Sequence, residues 1–171
     1  MNKSFISLGL MSGTSMDGVD ASIIKSNGLD EIRVILNKYS PYTRNIRKNL
    51  HLLRDKINTS NDLKFFFEEI KSVEKEITLF HANFIDEIIK KLNIKIDLIG
   101  FHGQTIFHNA SEKISKQIGD GELLSQLIKK KVIYNFRQND LKNGGNGDPL
   151  SPIFHKILKK KIQGSVSFLN I

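Results

Sequence analysis

The hydrophobic period of this chain changes near Pro41, and that change limits what it can fold into. Before it, residues 5–11 and 19–25 are apolar, partly alternating runs, and Ile32 to Leu36 alternates with charged residues after the Asn27-Gly28 turn signal. The pattern predicts a meander of three antiparallel strands that Pro41 closes. From about Asn45 to Ile57, and again from about Asp62 to Leu92, apolar residues recur at helical spacing. The second stretch, with Leu63, Phe66, Phe67, Ile70, Val73, Ile77, Phe80, Phe84, Ile85 and Ile88 on one stripe, reads as one long amphipathic helix capped by Thr59 or Ser60. Its aromatics are at packing positions rather than in a ligand box. After Asn93 the signals alternate: strands at 97–101, 117–119 and 132–136, a helix at 122–130, and a glycine-rich loop at 143–149. A further helix opens with Ser151 as N-cap and Pro152 in its first position, and residues 165–171 read as an apolar strand. Strands first, then strand–helix alternation, place the chain in the α/β class.

Its 171 residues are enough for one ordinary domain with a core of its own. There is no Cys, which excludes disulfides and thiolate-held zinc or iron–sulfur sites. The net charge of +8 raises nucleic-acid and anionic-membrane readings. It comes from 21 Lys against 5 Arg, beside 24 Ile, 15 Asn and only 3 Ala, a bias of AT-rich codons that fills solvated positions with Lys. No clustered, aromatic-interleaved basic patch accompanies it, so no nucleic-acid partner is expected. The runs Lys129–Lys131 and Lys159–Lys161 each follow an apolar helical stretch, where cations meet the negative end of a helix dipole. The apolar start, Phe5 to Met11, is too short and too soon interrupted for a signal peptide, and nothing later approaches the roughly 20 apolar residues of a membrane span. A cytoplasmic protein without membrane contact is the expectation.

Three segments carry candidate chemistry. The first, Gly9 to Asp20, lies between the first two strands; its glycines permit positive φ and close approach of main-chain N–H groups, and Ser12, Thr14 and Ser15 add hydroxyls. Such a loop suits phosphate oxygens, with Asp17 or Asp20 able to hold Mg²⁺ through water. It is neither a Walker loop nor a dinucleotide fingerprint, and a hairpin turn of small polar residues is the alternative. The second, Gly100 to His108, ends a strand, where polar residues face the ligand crevice of α/β proteins. His102 and His108 lack a third metal ligand, so His102, Gln104 and Thr105 are assigned to hydrogen bonding with a polyhydroxylated substrate, and no metal is assigned to protein ligands. The third runs from Asn135 to Asp140. Arg137 and Asp140 leave the end of a strand together and can grip an anionic group or a hydroxyl, a solvated salt bridge being the alternative.

In this order, Gly9 to Asp20, Ile99 to His108, Gln117 to Leu124, Ile133 to Asp140, Gly144 to His155 and Asn170-Ile171 resemble the anhydro-N-acetylmuramic acid kinases, a family of the actin, Hsp70 and sugar-kinase superfamily. The resemblance implies an actin-like ATPase (ribonuclease H-like) lobe, with a mixed sheet and flanking helices, over residues 1–130, and the incomplete start of a second lobe over 131–171. It implies that Gly13, Thr14, Ser15, Met16, Asp17, Gly18, Val19 and Asp20 bind the phosphates of ATP with Mg²⁺. It also implies that His102, Gln104, Thr105, Arg137 and Asp140 meet an amino sugar. The implied reaction opens a 1,6-anhydro sugar with water and transfers the γ-phosphoryl group to the freed 6-oxygen, in peptidoglycan recycling.

Three departures from the family pattern stand out. Asn135-Phe136-Arg137-Gln138-Asn139-Asp140 replaces an Asp-Phe-Arg-Arg-Arg-Asp run, thinning the grip on an anionic sugar. Gly144-Gly145-Asn146-Gly147-Asp148-Pro149 replaces Gly-Gly-Gln-Gly-Ala-Pro and puts a carboxylate into a neutral loop. Family members are about twice as long, and both their second phosphate loop and the Asp implied as water-activating base fall beyond Ile171. The expectation is therefore an N-terminal part that is inactive alone. Its partner is a second lobe or a second copy, and the rival reading is a non-catalytic sugar- or partner-binding remnant.

Overall fold

The computed structural model describes residues 3–160 and 162–168. The three-strand meander is present as β1 (Phe5–Ser12), β2 (Gly18–Ser26) and β3 (Ile32–Pro41), paired antiparallel with Leu8 opposite Ile23 and Gly18 opposite Pro41. The chain then leaves through α1 (Arg44–Lys56), α2 (Asp62–Phe65) and α3 (Phe67–Leu92), and returns as β4 (Leu98–Asn109) parallel to β1. Parallel neighbours need such a crossover. β5 (Ile114–Ile118) folds back antiparallel on the far half of β4, α4 (Gly121–Ile128) follows, and β6 (Val132–Ile133) pairs parallel with the near half. The sheet order is β3-β2-β1-β4-β5, with β6 also on β4. Two short helices, α5 (Gln138–Lys142) and α6 (Pro152–Lys159), complete the described chain. This mixed sheet with flanking helices is the architecture of an actin-like ATPase lobe.

Alternation along the strands decides where the core lies. Leu8, Leu10 and Ser12 of β1, Val19, Ala21 and Ile23 of β2, and Ile99 and Phe101 of β4 are buried, whereas Gly9 and Met11 face the other way and are exposed. The buried face meets Ile70, Ile77, Phe84, Ile85 and Ile88 of α3 and Ile46, Leu50 and Leu53 of α1. α3 also buries a carboxylate: Glu74 accepts from Lys71 at 2.6 Å and from Lys116 of β5 at 3.0 Å, which ties the helix to the hairpin.

The structure departs from the periodicity at several points, each with a local cause. The long helix is interrupted at Phe66 (φ −95, ψ 25), and neither Thr59 nor Ser60 is its N-cap. Instead the Asp62 carboxylate accepts from the amides of Asn58 and Thr59 and from the Thr59 hydroxyl, so the first turn is a separate one. Three successive phenylalanines cannot share one helix face, and only Phe66 packs against the core while Phe65 and Phe67 are exposed. β4 is more than twice its expected length, because the hairpin with β5 extends it past Gly103. β6 stops at Ile133, two residues before Asn135 takes a left-handed φ of 59°. α4 ends at Ile128 with Lys129 as its left-handed cap, so the run Lys129–Lys131 lies past the last turn. Residues 165–168 form no strand, and 169–171 of that expected strand lie outside the described residues. Among the described residues, no helix is long and apolar enough to cross a membrane.

His81 sits in the middle of this core, 1% exposed, its ring edge-on to Phe101 with centroids 4.9 Å apart. Burial holds it neutral and pulls its pKa down from 6.5 to about 4, although the bond from Nδ1 to the Ile77 carbonyl, 2.8 Å, favours the proton. An unfolded chain takes up that proton first as the pH falls, so folding loses stability from about pH 6.5 down to about pH 4, by a total of about 3 kcal/mol. Denaturant unfolding across that range should show this slope, and a His81→Phe variant should show a shallower one.

Candidate functional site

Two polar clusters hang from β4, one from Gln104 and one from His102. The first is built on Gln104, which is fully buried. Its carbonyl oxygen accepts from Ser12 Oγ at 2.6 Å, and its amide donates to the Gly13 carbonyl at 2.9 Å and, more weakly, to the Thr105 carbonyl at 3.4 Å. Ser12 Oγ also lies 2.9 Å from the Gly18 carbonyl and 2.8 Å from the Tyr42 hydroxyl. Ser12 has one proton, which the Gln104 and Gly18 oxygens share, so Tyr42 is the donor to Ser12. Burial pushes the Tyr42 phenol well above its ordinary pKa, which keeps that donor protonated. The network pins both ends of the segment between β1 and β2, since Gly13 and Gly18 are its two boundary carbonyls.

The segment so held is shorter than expected. Gly18, Val19 and Asp20 already belong to β2, with Val19 fully buried, and the loop proper is Gly13–Asp17. Its left-handed residue is Met16 (φ 57), not a glycine; the Met16 side chain is 2% exposed and its amide closes a turn on the Gly13 carbonyl at 3.2 Å. Gly18 is required for space instead: a Cβ there would lie 2.5 Å from the Ser40 carbonyl and 2.6 Å from the Tyr39 hydroxyl. Thr14 and Ser15 are exposed at the tip, and among the described residues their amides donate to no protein acceptor. Ser15 Oγ donates to Asp17 Oδ1 at 2.6 Å, and that bond holds the Asp17 carboxyl below its ordinary pKa. The loop therefore presents two free amides, a threonine hydroxyl and an anionic carboxylate to solvent.

The second cluster joins His102 to Arg137, which caps α5 rather than ending a strand. Both are 8% exposed. Arg137 Nε and Nη2 each lie 3.1 Å from His102 Nε2, so that nitrogen is an acceptor and the ring proton is on Nδ1, donated to the Gly103 carbonyl at 2.9 Å. Burial, reinforced by the Arg137 charge, holds His102 below its ordinary pKa despite the Gly103 bond. Arg137 Nη1 reaches on to the glycine-rich loop, donating to the Gly147 carbonyl at 3.2 Å and pairing with Asp148 Oδ1 at 2.8 Å. Asp140 holds the same loop from the other side, its Oδ2 accepting from the Gly147 amide at 2.7 Å; a Cβ on Gly145 would collide with this carboxylate.

The structure thus brings His102, Arg137 and Asp140 together around residues 144–149, and places Gln104 with the Gly13–Asp17 loop. Thr105 is in neither cluster: its hydroxyl accepts from Gln117 at 3.2 Å across the β4–β5 hairpin. Sequence reasoning missed Tyr39, which lies opposite Asp20 only once the β2–β3 register is known, and Tyr42, which follows β3 and is buried.

A family model described as "Anhydro-N-acetylmuramic acid kinase" matches residues 5–171. A curated protein of that name from Pelagibacter ubique (strain HTCC1062) is 58% identical over 173 residues, covering 100% of this chain and 46% of its own length. Others of that name from Gluconobacter oxydans (strain 621H) and Rhizobium etli (strain ATCC 51251 / DSM 11541 / JCM 21823 / NBRC 15573 / CFN 42) are 39% and 35% identical, each covering 96% of this chain and 45% and 46% of its own length. The chain spans about half the length of the curated relatives it matches.

Replacing Gln104 by Leu removes its bonds to the Ser12 hydroxyl and the Gly13 carbonyl, which keep Gly18, Tyr42 and Met16 as partners, at a cost of about 0.5–1.5 kcal/mol per bond lost. It should also speed hydrogen exchange at the Met16 amide, because the turn that protects it loses its anchor. Unchanged exchange at Met16 in a destabilised variant would mean that Gln104 does not hold the loop.

Proposed function

The chain belongs to the anhydro-N-acetylmuramic acid kinase family, and on that premise we propose that the protein carrying it is an ATP- and Mg²⁺-dependent kinase. In this reading it opens 1,6-anhydro-N-acetylmuramic acid with water and phosphorylates the freed 6-oxygen, serving peptidoglycan recycling and amino-sugar catabolism in the cytoplasm. The observation that carries the reading is the Gly13–Asp17 loop. Among the described residues its Thr14 and Ser15 amides have no protein acceptor, and its base is fixed by buried hydrogen bonds from Gln104 and Ser12. Preorganised N–H donors on a rigid turn are what phosphoryl transfer asks of a protein.

The residues present fit the nucleotide. Thr14 and Ser15 would receive phosphate oxygens through their amides, and Gly13 lets that backbone approach without a Cβ in the way. Asp17 and Asp20, both exposed at the mouth, would hold Mg²⁺ through water. ATP supplies the transferable phosphoryl group and Mg²⁺ neutralises its oxygens. Met16 and Val19 serve the site by packing under the loop. On the sugar side, Arg137 and Asp140 fix the glycine-rich loop against β4, the Gly144, Gly145 and Gly147 amides are bonded within the protein, and Thr105 and the amides of Asn146 and Asp148 would meet hydroxyls.

Residues 1–130 form the nucleotide-binding lobe in this reading, and 131–171 begin the second lobe, moored to the first by β6 and by the Arg137–His102 contact. α6 suits that division, since none of its residues is buried. In this reading the water-activating carboxylate is not among residues 1–171; the relatives are about twice as long as this chain. Full-length protein should consume ATP only when the anhydro sugar is present, and residues 1–171 alone should show no turnover. A full-length protein that phosphorylates no 1,6-anhydro sugar would overturn the reading, and sugar-dependent turnover by residues 1–171 would overturn the assignment of the base.

A further inference from the structure

The mouth of the Gly13–Asp17 loop has a second wall, formed by the end of β3 and the start of α1. The Tyr42 amide donates to the Asp17 carbonyl at 2.8 Å, so α1, which begins at Arg44, departs directly from the end of the loop. Thr43 caps that helix, and the Arg47 amide donates to the Thr43 carbonyl at 3.0 Å. Arg47 therefore stands one helical turn from the loop, on the same side of α1 as the cap. Ile46 and Leu50 of α1 turn into the core, whereas Arg47 is exposed. From β3, Tyr39 covers Gly18, where an added Cβ would lie 2.6 Å from the Tyr39 hydroxyl.

The charges agree with this placement. The Asp17 carboxyl is held low first by the Ser15 bond and also by the Arg47 charge, the one cation among the described residues that acts on it. Desolvation and the Asp17 charge push the Tyr39 phenol up, Asp20 adds to this, and Arg47 opposes it. Two negative groups and one positive group thus gather round the loop. Yet Arg47 does not close on Asp17, whose carboxylate is turned to Ser15 Oγ. Among the described residues no hydrogen bond or ion pair uses the Arg47 guanidinium. Arg54, near the other end of the same helix, behaves otherwise: its Nε and Nη2 both lie on Asp55 Oδ1, at 3.1 and 2.9 Å. At Arg47 the planar fork of N–H donors stays open beside the free amides of the loop.

We propose that Arg47 is a phosphate-binding residue: its guanidinium meets phosphate oxygens of the nucleotide from the α1 side, while the Thr14 and Ser15 amides meet them from the loop. The inference rests on the kinase reading above. MgATP is an anion, and Asp17 and Asp20 bring two further negative charges to the same mouth, so neutral amides alone leave a net repulsion. A guanidinium offsets part of it and matches the geometry of a phosphate with paired N–H groups. A cation in that place stabilises a phosphoryl group in transfer as well as in binding.

The test measures binding of a non-hydrolysable ATP analogue with Mg²⁺ to the full-length protein by calorimetry, at low and high salt. Wild type is compared with Arg47→Met and Arg47→Lys. Arg47→Met should bind the analogue about tenfold more weakly at low salt and lose less at high salt, and Arg47→Lys, which keeps the charge, should recover most of the loss. Hydrogen exchange at the Met16 amide, which reports the turn of the loop, should match the wild type in both variants. Unchanged affinity in Arg47→Met, or a lysine variant as weak as the methionine one, would overturn the proposal and leave the kinase reading intact. Weaker binding accompanied by faster exchange at Met16 would mark a distorted loop and overturn it as well. A wild type that binds no analogue would overturn the kinase reading and the inference with it.

Discussion

The candidate site depends on one buried carboxamide. Gln104 sits on β4, the central strand that β1, β5 and β6 all join, and it spends both ends of its amide on the segment between β1 and β2. Buried polar groups left without partners cost more than a paired one gains, so the Gln104, Ser12 and Tyr42 set has few alternative arrangements. The backbone of Gly13 and Gly18 is therefore fixed relative to the sheet, and the exposed amides of Thr14 and Ser15 inherit that fixity. Function in this reading comes from a turn whose tip is polar and free and whose base is polar and fully committed.

Much of this was legible in the sequence, for physical reasons that differ between segments. The β1–β2–β3 meander and α3 were legible because alternation and helical periodicity directly report which face is buried. The α2–α3 break was not, since it turns on Asp62 capturing the Asn58 and Thr59 amides and on how three adjacent phenylalanines divide between core and solvent. The length of β4 was hidden because Gly103 looks like a terminator, while the β5 hairpin, a non-local partner, carries the strand through it.

The same limit separates site residues from site roles. The segments Gly9–Asp20, Gly100–His108 and Asn135–Asp140 supply the residues of the two polar clusters, which glycine and short polar residues between apolar runs mark in the sequence. Which atoms face a ligand depends on register and burial, and no local pattern encodes those. Gln104 looks ligand-facing in the sequence and lies at 0% exposure; Met16 looks incidental and supplies the left-handed turn. Asp148 is plain in the sequence as a charge in a neutral loop, but its pairing with Arg137 depends on His102 turning its unprotonated nitrogen towards the same guanidinium.

The central claim is that the Gly13–Asp17 loop receives the nucleotide phosphates through main-chain amides. The most direct measurement is an experimental structure of the full-length protein with a non-hydrolysable ATP analogue and Mg²⁺. The account predicts phosphate oxygens within hydrogen-bonding distance of the Thr14 and Ser15 amides, with Gln104 still bonded to Ser12 and the Gly13 carbonyl. Phosphates bound elsewhere, with those two amides facing only solvent, would contradict it.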